Sequence, residues 1–344
     1  MKLWNNQERK CFNLYFSNKC MLSIVTVLLL VTLISNIALC DEKNKVAIGI
    51  VMPVGGSGDL SFEWTATEGL ARINQDIDGV NVLTKEPMKV DVLKNYYEDL
   101  ISQGVKLIIG IGFFQEEALK EVAKEHPDVS FAIIDASVDL PNVTSVIFRE
   151  DEGSFLAGCS AAMVTKTGKL GFIGGMKSDI IDKFQKGYEE GAKYIKPDVS
   201  VEVKYIGDTE EAFSSPDLGK KIAKDMYTND IDVIFAAAGG SGLGVIETAR
   251  IKNKYCIGVD ADQDYIAPGN VITSMIKRVD NALYLIVRDY MDNKLKAGTI
   301  VMGLKDNGVS LTEFKYSQDL LTKEQFEKLD AVKQDIINGK IIIK

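Results

Sequence analysis

The sequence predicts an α/β protein made of two doubly wound parallel-sheet lobes with a ligand cleft between them. Short apolar runs rich in Val and Ile alternate with segments of helical period from Lys45 onward. These runs are continuous instead of alternating with polar residues, as in parallel strands covered by helices on both faces. The chain has 344 residues and 46% apolar content, which suits two units of ~100 to 200 residues, each with its own core.

In chain order, strands are expected at VAIGIV (46–51), VKLIIGI (105–111), FAIIDA (131–136) and KLGFIGG (169–175). They continue with VEVKYI (201–206), DVIFAAA (232–238), YCIGVD (255–260) and VITSMI (271–276). Ala66, Leu70, Ile73 and Ile77 fall on one helix face, and Phe155, Gly158, Cys159 and Ala162 on another. The second helix is rich in Gly and Ala, so its backbone can approach a neighbour closely, either at an interlobe crossing or inside one lobe. The strand pattern restarts at Lys169, which places the break between lobes near 149–169. The tail from Leu311 reads as a charged helix ending in a short apolar strand, IIIK. A chain that builds one lobe, then the other, then returns makes a hinge of several crossings. On this reading residues 45–150 and 276–310 form lobe I, and residues 151–275 and 311–344 form lobe II.

Residues 1–40 read as an export segment. Met21 to Ala38 is an unbroken apolar run preceded by Lys2, Arg9, Lys10 and Lys19, the layout of a signal sequence. A run of ~18 apolar residues is also long enough for one transmembrane helix, so the residues after it matter. Ile37-Ala38-Leu39-Cys40-Asp41 resembles a bacterial lipobox, with Leu39 where a small residue is usual. That makes Cys40 a candidate for lipidation and leaves plain secretion or an uncleaved anchor as alternatives. The long basic stretch leaves both Met1 and Met21 as starts. Of five cysteines, Cys159 and Cys256 lie in apolar elements and read as small buried hydrophobes.

A net charge of −9 without a basic cluster after the first residues excludes nucleic acid as a partner. His126 is the single histidine and sits in a helix-ending turn. A Ser/His/Asp set, a Cys/His pair and a histidine metal cluster therefore find no support. No metal and no cofactor is expected, and the chain reads as a binding protein and not an enzyme.

Ligands of open α/β sheets bind beyond the carboxyl ends of the strands. The loop from Pro53 to Phe62 presents Asp59 and Phe62, although Asp59 or Ser61 also suits a helix cap and Phe62 a core position. The loop from Gly110 to Phe114 follows the next strand, and Asp135 ends FAIID. The Gly-rich turn from Phe235 to Gly244, containing Gly240, precedes Asp260 by the spacing of a dinucleotide fingerprint. That pattern fails, because it needs glycine where the chain has Ser241 or Val245.

Taken in order, GDLSF (58–62), FREDEGSFLAG (148–158), KLGFIGG, AAAGGSGLGV, IGVDADQ and VITSMIKRVD resemble the basic membrane protein, or PnrA-like, family across Val46 to Asp280. The resemblance implies a type I periplasmic binding protein fold, and a lipoprotein on the extracytoplasmic face of a bacterial membrane that serves an ABC permease as a monomer. It also implies a purine nucleoside ligand. Phe62 and Phe235 would stack on the base, Asp260 and Lys277 would hold the ribose, and Asp135 would add a polar contact. The chain departs from nucleoside-binding relatives at Pro53, Gly58 and Glu63, where they carry Asp, Asp and Asn, and this leaves the base open. The same scaffold also suits a ligand sensor, a surface-interaction lipoprotein, or a nucleoside-cleaving enzyme with Asp59, Asp135 or Asp260 as base.

Overall fold

The computed structural model describes residues 45–55 and 58–344. Residues 47–78 and 82–344 form one compact unit, which holds both lobes and the cavity described below. Lys45, Val46 and Gly79–Asn81 belong to another unit, in which the Val46 amide donates to the Gly79 carbonyl at 2.7 Å. The export segment and Cys40 lie outside the described residues.

The apolar runs pair as two six-stranded sheets. The first contains β1 (Val46–Val51), β2 (Val80–Lys85), β3 (Leu107–Ile111), β4 (Ser130–Ile134), β5 (Val143–Phe148) and β11 (Gly298–Met302), in the order β2-β1-β3-β4-β5-β11. The second contains β6 (Lys169–Gly174), β7 (Ser200–Tyr205), β8 (Val233–Ala237), β9 (Tyr255–Asp260), β10 (Val271–Lys277) and β12 (Val309–Leu311), in the order β7-β6-β8-β9-β10-β12. The two orders match, so each lobe is doubly wound with its own switch point, β1/β3 in one and β6/β8 in the other. The β12 strand runs antiparallel to β10. Central strands such as β3 and β8 are buried along their whole length, which is why their sequences are unbroken apolar runs.

Helices α1 (Phe62–Asp76), α2 (Leu93–Ser102), α3 (Glu116–Glu125) and α8 (Val279–Met291) accompany the first sheet. Helices α4 (Glu150–Val164), α5 (Asp179–Ile195), α6 (Pro216–Thr228), α7 (Gly242–Lys252) and α9 (Lys323–Ile337) accompany the second. The Gly and Ala positions of α4 serve tight packing inside this lobe: a Cβ on Gly158 would overlap the Tyr188 carbonyl of α5, and one on Gly191 would overlap the Phe155 carbonyl of α4.

Among the described residues, three segments pass between the sheets, at 148–150, 277–279 and 302–309. The first two share local chemistry. Arg149 grips Asp151 through Nε and Nη2 at 2.9 and 2.7 Å, and Arg278 grips Asp280 in the same way at 2.8 and 2.7 Å. Each places a carboxylate at a helix N-terminus, where the free amides and the dipole favour it. The third segment ties the other two, since the Arg149 amide donates to Met302 and the Arg278 amide to Gly308.

Four strands escape the apolar-run reading. In β5, Thr144 and Ser145 interrupt the run, yet both are buried because their hydroxyls bond the carbonyl of Lys296 and the backbone of Val138. The β2 and β11 strands are partly exposed edges, and β12 has three residues. The expected IIIK strand is a correction: no strand forms at 341–344, where Ile342 is exposed and the Lys344 amide donates to Glu190 on α5. That short end follows α9 directly and meets a helix instead of a sheet edge.

Candidate functional site

Both switch points open onto one cavity of about 250 Å³, just under the roughly 300 to 1,000 Å³ usual for small-ligand clefts. Its wall comes from residues following the carboxyl ends of β1, β3, β4, β6, β7, β8, β9 and β10. Backbone amides and short loops at these ends let side chains converge from both lobes.

The polar part is built around Lys277 at the end of β10, 1% exposed. Its Nζ forms ion pairs with Asp135 and, at 2.9 Å, with Glu150 on the first turn of α4. It also lies 5.4 Å from the ring centres of Phe62 and Phe184 and 5.2 Å from that of Phe148, within cation–π range. Burial pushes its pKa down, but Asp135, Glu150 and Asp260 outweigh that and hold it above the ordinary lysine range. Burial raises the Glu150 carboxyl against the pull of Lys277. Burial likewise lifts Asp260 to about 7, opposed by Lys277 and by the Ser61 hydroxyl.

Asp135 and Asp260 close β4 and β9 with φ of 76° and 65°, a left-handed conformation that Asp tolerates better than most residues. The turn carries both side chains into the wall. The Ser61 hydroxyl donates to Asp260 at 2.8 Å, and the Gln263 amide donates to the Leu60 carbonyl at 2.9 Å. These bonds tie the loop before α1 to the end of β9. Within that loop the Asp59 carboxylate accepts from the amides of Ser61, Glu63 and Trp64 at 2.8, 3.0 and 3.1 Å. It therefore lines the cavity and also satisfies the free N-terminus of α1.

The apolar part is aromatic. Phe62 lies beside Gly112, and Phe113 and Phe114 stack at 4.3 Å with an interplanar angle of 31°. Phe213 meets both edge-on at 6.1 Å. Gly240 fits where a Cβ would press on Asp59 Cβ and the Phe213 carbonyl.

Among the residues expected from sequence, Asp59, Phe62, Asp135, Gly240, Asp260 and Lys277 line this cavity. Phe235 is a correction. It lies mid-strand in β8, fully buried, with its ring packed on Phe172, Tyr188 and Phe184. Phe213, Phe184 and Glu150 were not anticipated. The strand-end rule applied to VEVKYI leads to Phe213, whereas nothing local marks Glu150 as buried.

Gln115 holds the two loop bases in place. Its Nε2 donates to the carbonyls of Val51, Met52 and Ile111 at 3.0, 2.9 and 2.8 Å, and its Oε1 accepts from the Tyr97 hydroxyl. Gln115→Leu strands these buried groups and is expected to lower unfolding free energy by about 2 to 3 kcal/mol. Urea unfolding checks this, and a change inside about 0.5 kcal/mol would show that the carbonyls find other donors.

Among the described residues, Glu98, Glu125 and His126 bring ligand-type atoms within 4.8 Å of one another. They sit on α2 and at the end of α3, where His126 caps the helix and its ring contacts Glu98 at 3.2 Å. They do not line the cavity.

The family described as "ABC transporter substrate-binding protein PnrA-like" matches residues 45–344. Basic membrane protein B of Borreliella burgdorferi is 38% identical, covering 88% of this chain and 89% of its own. The ABC transporter nucleoside-binding protein BmpA of Lactococcus lactis is 36% identical, covering 88% and 90%. A solved solute-binding protein of an Aeropyrum pernix ABC transporter superposes with a TM-score of 0.79 at 26% identity, covering 87% and 94%.

Proposed function

Because the chain belongs to the PnrA-like family of ABC transporter substrate-binding proteins, we propose that its cavity captures a purine nucleoside and that the loaded protein delivers it to a permease. The family is extracytoplasmic and consists of solute-binding proteins, not enzymes. The observation that carries the nucleoside reading is the union, in one cavity, of an aromatic wall with a buried Lys and carboxylate set. Flat π-faces suit a base, and Asp260, Asp135 and Lys277 suit vicinal ribose hydroxyls, whose hydrogen bonds strengthen beside charged partners. The nucleoside-binding name of the Lactococcus lactis relative points the same way. Lipid attachment at Cys40 and a monomeric state complete the reading. Incorporation of a labelled fatty acid that is lost in Cys40→Ala tests the first, and light scattering tests the second.

The deciding experiment is titration calorimetry of the full chain with purine and pyrimidine nucleosides, free bases, free sugars and amino acids, followed by product analysis. Saturable binding of purine nucleosides with intact ligand recovered supports the reading. Free base and ribose after incubation would make the protein a hydrolase, and binding of sugars or amino acids alone would move the ligand class.

A further inference from the structure

The site as assigned leaves one charged group of the cavity wall unused, Glu63. It stands on the first turn of α1 beside Phe62, is 5% exposed, and lines the cavity. Among the described residues its Oε2 is buried without a hydrogen-bond partner, while the Gly58 amide supports the other side of the carboxyl. The charged groups that act on it are Asp59, from the loop before α1, and Glu86, from the segment after β2. Both are acids, and the Asp59 oxygens already accept three backbone amides. Lys277 is engaged by Asp135, Glu150 and Asp260. A buried carboxyl oxygen without a donor is costly unless a ligand supplies one.

We propose that Glu63 reads the base, selecting a guanine-type edge in which a ring N–H lies beside an exocyclic amino group. This rests on the nucleoside reading above. Two parallel N–H donors match the two oxygens of a carboxylate. An adenine-type edge offers one donor beside one acceptor, so a carboxylate oxygen faces a lone pair, and only the protonated acid matches it. Asp59 and Glu86 favour any group that brings positive partial charge to this corner.

The protonation state supplies the signature. Burial, reinforced by Asp59 and Glu86, lifts Glu63 to about 7. A guanine edge binds the ionised form, so its affinity rises with pH through that value, whereas an adenine edge prefers the acid and weakens. Asp260 titrates in the same window but contacts the shared ribose, so it cancels in the ratio of the two affinities.

The test is calorimetry of the full chain and of Glu63→Gln with guanosine and adenosine, from about pH 5.5 to about pH 8.5. The expected result is a guanosine-to-adenosine affinity ratio that climbs about ten-fold or more across the range in the parent and stays flat in Glu63→Gln. A flat ratio in the parent, or an unchanged slope in Glu63→Gln, overturns the assignment of Glu63 while nucleoside binding itself stands. Absence of binding by either nucleoside overturns both. Matching thermal midpoints of the two ligand-free proteins exclude a folding defect as the cause of any lost slope.

Discussion

Replacing Lys277 by Met is expected to lower the unfolding free energy by about 3 to 5 kcal/mol near pH 7.5, the usual cost of leaving buried charges unpaired. Met retains most of the apolar stem, so the loss isolates the ammonium. That group faces Asp135, Glu150 and Asp260, each buried. The pH dependence fixes the sign. Burial already raises the Glu150 and Asp260 carboxyls against the pull of Lys277, and with the lysine gone both should rise further above their unfolded values. Such a group contributes stability that is complete below its unfolded pKa and lost as pH rises through its folded one. For Asp260 that window already runs from about 3.8 to about 7 in the parent. The deficit of the variant should therefore shrink as pH falls toward about 5. Urea unfolding at both pH values checks this, and a variant within about 1 kcal/mol of the parent at the higher pH would show that the three acids are not held by one cation.

Gly191→Val should destabilise by about 3 kcal/mol or more, at the upper end of overpacking effects. The α4 and α5 backbones meet at three glycines: Gly158 faces the Tyr188 carbonyl, Gly187 the Asp151 carbonyl, and Gly191 the Phe155 carbonyl. A side-chain neighbour can rotate away from an added methyl group, but a helix carbonyl cannot. The helices must separate, which loosens the packing of Tyr188 on Phe172 and Phe235. Because α5 also carries Ile181 and Phe184 into the cavity wall, ligand binding should weaken with stability. Gly191→Ala should show the same effect at smaller size. A thermal midpoint for Gly191→Val equal to that of the parent would mean that the helices tolerate a wider spacing.

The two-lobed α/β class was legible because buried parallel strands need uninterrupted apolar residues and their helices do not. That signal weakened where a polar residue found a local partner, as in β5, and at exposed edges, as in β2 and β11. The end of the chain misled for a related reason: three isoleucines have strand propensity, but a strand forms only where another strand offers its hydrogen bonds.

Site residues divided along a different line. Asp59, Phe62, Asp135, Gly240, Asp260 and Lys277 were legible as cavity residues because each lies in a loop or at a strand end, on the carboxyl side of the sheets. Phe235 was misplaced because a strand buried on both faces carries no alternation to tell one face from the other. Its ring turned to the core, and the aromatic wall is completed instead by Phe113, Phe114 and Phe213. Glu150 sits in the recognisable FRED run, yet only the meeting of β10 with the first turn of α4 brings it to Lys277.

The sequence by itself determined the strand and helix order, the family resemblance and the polar residues at the strand ends, because these depend on local periodicity and on position along the chain. Only the tertiary structure decided which rings face the cavity, which carboxyls share the buried lysine and which lack a partner, because burial and charge pairing arise between segments far apart in sequence.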